Sequence, residues 1–199
     1  MRYIARVSPA LDTPDDWSTR HSVLTTARRT AALLNALADE SPDPADVADV
    51  LRAYGEAEPV DLTAEDVRGM RVAAGLLRKV FAAEHADGAA AVLNRLLREH
   101  TGPLRLTSHG GGTPWHPHLD HVDDAPWDEW LLASSCMALT VLLWDRQRPP
   151  GRICASPSCP NVFVTQGSGP ERRYCSRRCA TRERVAAHRR SRSVDRPGD

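Results

Sequence analysis

No apolar run in the 199 residues approaches the roughly 20 needed to span a bilayer. The opening MRYIARVSPALD has no continuous apolar stretch of the kind a secretory signal carries. The expectation is therefore a cytoplasmic protein without a membrane partner. There is no internal repeat, nucleophile elbow, phosphate loop or dinucleotide fingerprint, so the common enzyme motifs give no foothold and no catalytic residue is assigned. Lysine is all but missing: Lys79 stands alone, and the positive charge is almost wholly guanidinium. Arginine's planar fork suits bidentate contact with phosphate or guanine.

What is present is ordinary for a globular chain: 41% hydrophobic and 26% charged residues, with zero formal net charge. That zero conceals a division. From Arg152 onward eleven arginines face four acids, giving +7, and the preceding part carries −7. Opposite charge on two parts of one chain suggests two tasks, one of them facing a polyanion.

Apolar spacing predicts helices over His21 to Asp39, Ala45 to Tyr54, Thr63 to about Glu84, and Gly88 to His100. Thr63 with Asp66 forms a capping-box pattern at the start of the third. Leu104 and Leu106 then alternate with polar residues before Gly110-Gly111-Gly112, which reads as the turn of a β-hairpin. Pro126 opens the most hydrophobic helix, Trp127 to Arg146, and Cys136 on it is expected to be a small buried hydrophobe. Pro149-Pro150-Gly151 reads as a linker. The expected domains are an α-rich unit over 1–149 and a small unit over 150–199, the latter ending in a basic helix and a disordered tail.

The small unit carries C-x4-C, fifteen residues, then C-x3-C: Cys154, Cys159, Cys175 and Cys179. Two short-spaced pairs at that separation match a four-thiolate zinc site and fit it better than a redox pair or two disulfides. Four thiolates leave no open position, so one structural Zn2+ is expected. Between the pairs, Val162 to Val164 reads as a strand, Gly167 to Pro170 as a turn and Arg172 to Tyr174 as a return strand. Ser176 can cap a helix from Arg177, on which Cys179, Val185 and Ala186 are expected to face inward. The overall expectation is a mainly α chain with a small β-hairpin (α+β), ending in a treble-clef-like strand–turn–strand–helix module.

The stretch RICASPSCPNVFV…RRYCSRRCATRERVAAHRRSR resembles the CGNR-type zinc finger, a C-terminal module of bacterial proteins. The family's name motif departs here, reading Cys179-Ala180-Thr181-Arg182: cysteine and arginine remain while glycine and asparagine are replaced. Residues about 20 to 146 are similar to the ABATE domain that usually precedes this finger. Leu34-Asn35-Ala36 stands where that domain carries a helix-borne Asn-Thr motif, which makes Asn35 a candidate ligand-binding residue. The resemblance implies a stress-responsive transcription regulator.

The basic helix supplies candidate nucleic-acid contacts at Arg177, Arg178, Arg182, Arg184, Arg189, Arg190 and Arg192, with DNA the leading partner and RNA an alternative. On this reading the acidic unit senses a small-molecule effector or mediates association, for example as a homodimer, and the chain is not an enzyme. A different class of function rests on HPHLDHVDD. On a strand, His116 and His118 share a face and can grip a metal or an anionic ligand, provided a third ligand converges on them. The finger would then be purely structural. A third reading is a protein-interaction adaptor whose arginines dock an acidic partner.

Overall fold

A computed structural model of the protein describes residues 22–165 and 172–194, with side chains described as far as residue 191. Helix α1, Val23–Ala36, begins at Ser22, whose hydroxyl accepts from Thr25 N. Helix α2, Pro44–Ala53, has Asp43 as its cap and proline in its first turn, where a missing N–H costs nothing. At the start of α3, Ala64–Phe81, both halves of the expected capping box are made. The Thr63 hydroxyl accepts from Asp66 N at 3.1 Å, and the Asp66 carboxylate accepts from Thr63 N at 2.9 Å. Helix α4 spans Ala86–His100. The expected helices are all present, each within a few residues of its expected ends.

Helix α5, Trp127–Arg146, is the centre of the molecule, packed against α3, α1 and α4. Its burial runs through consecutive positions (Leu131, Leu132, Ala133, then Ser135, Cys136, Ala138 and Leu139), as expected of a helix covered on several sides. The polar atoms this traps have partners. The Thr30 hydroxyl on α1 donates to Thr26 O and lies 2.8 Å from Ser135 Oγ. Arg29 reaches across to Ser134 Oγ at 3.2 Å, stacks over the Trp130 ring and pairs with Glu56 at 3.7 Å. No described helix is long and apolar enough to cross a membrane.

Among the described residues, two antiparallel strand pairs accompany the helices. In the first, β1 (Arg105–Thr107) pairs with β2 (His116–His118), setting Arg105 opposite His118 and Thr107 opposite His116. In the second, β3 (Gly151–Ile153) pairs with β4 (Val162–Val164). This corrects the expected finger hairpin: β4 pairs backward with β3, and Arg172 to Tyr174 is not a strand. The turn expected at 167–170 lies outside the described residues. Helix α6, Arg177–Val194, follows.

The stretch read as a linker is buried. Pro149 and Pro150 are both covered, and Gly151 lies so close to Phe81 of α3 that an added Cβ would stand 2.4 Å from its ring. Val162 and Val164 belong to the same buried cluster as the helices. Among the described residues, β4 of the small unit thus shares the core of the helical part.

Candidate metal centre and nucleic-acid interface

The cysteine site is assembled by backbone hydrogen bonds. Cys154 follows β3 and donates its N–H to Asn161 O, while Cys159 N–H returns to Ser156 O, so 154–159 forms a tight knuckle. Ala155 N–H donates to Arg173 O and draws the second pair alongside the first. Cys175 N–H then points at Cys154 Sγ at 3.4 Å. Ser176 caps α6 as expected: its hydroxyl accepts from Cys179 N at 3.2 Å, fixing Cys179 one turn after Cys175.

The four sulfurs lie within 4.8 Å of one another, with Cys159 to Cys175 at 3.6 Å and Cys175 to Cys179 at 3.7 Å. A zinc ion with bonds of about 2.3 Å has a sulfur–sulfur edge of about 3.8 Å. A disulfide needs about 2.05 Å, and all five cysteines are free. The donor set fits one closed tetrahedral zinc. Without a metal the sulfurs compete for protons. The Ser176 hydroxyl draws Cys179 down to about 7, whereas burial, followed by the neighbouring sulfurs, pushes Cys175 up to about 12.

The retained motif arginine serves this centre. Arg182 donates to Cys179 Sγ at 3.4 Å and to Ser156 Oγ at 2.8 Å, and the buried Ser156 hydroxyl donates to Glu183 at 2.6 Å. Arg182, expected among the nucleic-acid contacts, is thus bonded to the finger while its side chain stays 43% exposed. Arg177, Arg178, Arg184, Arg189 and Arg190 are exposed. The Arg192 side chain lies outside those described. Val185, expected inside, is 44% exposed, because the small body of the finger ends near Glu183 and the helix continues past it.

Asn35 sits where the finger meets α1. Its amide oxygen accepts from Val162 N at 2.8 Å and its amide nitrogen donates to Val162 O at 3.0 Å. Both polar ends are thus committed to the free edge of β4. Beside it, between α1 and the finger, runs a groove of about 780 Å³ whose lining includes Arg28, Tyr54, Phe163, Arg172 and Arg178. Arg172 lies over the Phe163 ring and donates to Cys175 O.

The histidine segment resolves into two sets. His121 turns away to Glu129, its Nδ1 2.8 Å from the carboxylate. His116 and His118 share one face of β2, and the third residue to join them is His109, from a 3-10 turn over His109–Gly111. Gly110 and Gly111 take positive φ, as does His109 at 49°, so the segment joins β1 to β2 as the expected hairpin and also aims a histidine back at the strand. His109 Nε2 lies 3.3 Å from His116 Nε2, which lies 2.9 Å from His118 Nε2. Burial, ahead of the neighbouring charges, holds His109 and His116 below the usual imidazole range.

Beneath the rings, Arg105 binds Asp120 at 2.6 Å and also Asp123, while Thr107 donates to Asp123 at 2.8 Å. Burial would raise both acids, but the hydrogen bonds from His118, Arg105 and Thr107 outweigh it and hold them below the usual carboxylate range. The spacing H-x6-H-x-H was legible in the sequence. What it lacked was any sign that the glycines fold His109 back.

Two family models match the chain. One, the CGNR zinc finger, covers residues 151–192. The other, ABATE, described as "putative stress-induced transcription regulator", covers residues 23–145. No curated protein matches.

Proposed function

The chain belongs to the ABATE family and carries a C-terminal CGNR zinc finger with one structural zinc ion, and from this we propose a transcription regulator that binds DNA through α6. The observation that carries the reading is the sidedness of that helix. Glu183 is the only acid among residues 177–191, and it is drawn inward by Ser156. The outer surface therefore presents the exposed Arg177, Arg178, Arg184 and Arg189 on a face to which the helix contributes no acid. A rigid helix of one charge sign can lie in the major groove or follow phosphates. Zinc fixes its first turn and does no chemistry, since all four positions are thiolate. The protein is read as a non-enzymatic regulator.

Sensing is assigned to the groove between α1 and the finger. Its volume lies within the usual range for small-molecule pockets. Its arginine lining suits an anionic effector, whose carboxylate or phosphate would touch the helical part and the finger together.

The test is binding of a labelled duplex, followed by fluorescence anisotropy over a salt series. Log affinity should fall linearly with log salt, by about 0.9 per phosphate neutralised. Arg189→Ala and Arg190→Ala should each reduce the slope by about 1. Absence of binding at low salt, or binding indifferent to salt, would overturn the DNA reading and leave the adaptor reading.

A further inference from the structure

We propose that His109, His116 and His118 form a second metal site, independent of the finger, for a first-row divalent cation such as Zn2+, Co2+ or Ni2+.

The argument begins with proton placement. His116 Nδ1 lies 2.8 Å from Pro114 O, and His118 Nδ1 lies 2.7 and 3.0 Å from the two oxygens of Asp120. A carbonyl and an ionised carboxylate only accept hydrogen bonds, so each Nδ1 carries the proton. In the neutral rings the Nε2 atoms are then bare lone pairs, and they face each other at 2.9 Å. Two acceptors hold that distance only with a cation between them: a proton on one ring, or a metal shared among all three.

The third ring and the surroundings favour the metal. All three ligand nitrogens lie within 4.8 Å of one another, and the ring centroids are 5.1, 5.1 and 4.7 Å apart, a nearly three-fold arrangement that a proton between two rings would not require. Zinc–nitrogen bonds of about 2.05 Å give an edge of about 3.3 Å, close to the separations found. Two of the Nδ1 atoms are fixed by an oxygen, His116 by Pro114 O and His118 by Asp120, and the Asp123 carboxylate lies 3.5 Å from His109 Nδ1. Ligating histidines are oriented by such partners. Asp120 and Asp123 against Arg105 leave one net negative charge beside the rings, which favours a dication. Imidazole donors select first-row metals over Mg2+ or Ca2+. Three protein ligands leave a tetrahedral ion one open position, for water or a donor atom of an effector.

The experiment uses the full chain without a purification tag. Elemental analysis after equilibrium dialysis against zinc should give two ions per chain, falling to one in His118→Ala and in His109→Ala. With cobalt, the thiolate site should show sulfur-to-metal charge transfer and the second site ligand-field bands alone. Asp120→Asn should weaken the second ion about 10–100-fold. Long-range nitrogen–proton spectra of the unaltered chain make the test independent of how the variants fold. Binding of the second ion should shift Nε2 of three of the eight histidines. Saturation at one ion, movement of fewer than three rings, or two ions retained in both histidine variants would overturn the site and assign the short contact to a shared proton.

Discussion

Asn35 joins the two sequence-defined units through a single amide. Its oxygen and nitrogen take the N–H and C=O that Val162 turns away from β3, so the side chain stands in for one peptide of a third strand. Val162 is 1% exposed, and water cannot readily replace the lost partner. Asn35→Ala should therefore cost about 2–3 kcal/mol in chemical denaturation. Asn35→Asp keeps the acceptor but sets a carboxylate oxygen against Val162 O, and should be at least as destabilising. A neutral aspartate variant would mean that the amide does not hold the finger. The sequence pointed to Asn35 only through resemblance to a motif; its partner, 127 positions away, could not be read from local pattern.

Among the elements, β3 is short and its position depends on one missing side chain. Gly151 lets the strand approach α3 until a Cβ would meet Phe81 at 2.4 Å and Phe163 O at 2.7 Å. Phe81 is itself 1% exposed and has no room to withdraw. Gly151→Ala should cost about 1–3 kcal/mol as overpacking and lower the melting temperature while leaving zinc content at the cysteines unchanged. Thermal denaturation with metal analysis checks both, and an unshifted melting temperature would show that the contact relaxes freely. Helix α6 shows the converse case. Beyond Glu183 it meets little of the finger, so its apolar Val185 is exposed and its arginines face outward.

At the scale of the whole molecule, the finger and the helices share one buried cluster through Val162 and Val164. Zinc should therefore stabilise the helical part as well as the finger, since metal that binds only the folded form adds its binding energy to folding. Cys175→Ser should lower the temperature at which the far-ultraviolet helical signal is lost, in a single transition. A second transition unmoved by the variant would show that the helices stand alone. Thiol counting gives a parallel reading. Cys136 is 0% exposed within the helical core, so its thiol stays covered as long as that core is folded. A native chain should yield four reactive thiols after chelation, provided it remains folded, and a fifth only on denaturation.

The sequence by itself determined the helices, because periodicity and caps such as Thr63 with Asp66 are local. It also determined the zinc ligands, because the spacing of two short pairs is itself the geometry of the knuckles, and it carried the separation of charge. Tertiary structure decided what depends on distant segments meeting. The supposed linker at Pro149 and Pro150 is buried, β4 pairs with β3, Arg182 serves the metal centre, and His109 joins His116 and His118. Each of these is set by long-range packing or by a backbone turning through positive φ, and neither leaves a period or a spacing in the chain that specifies it.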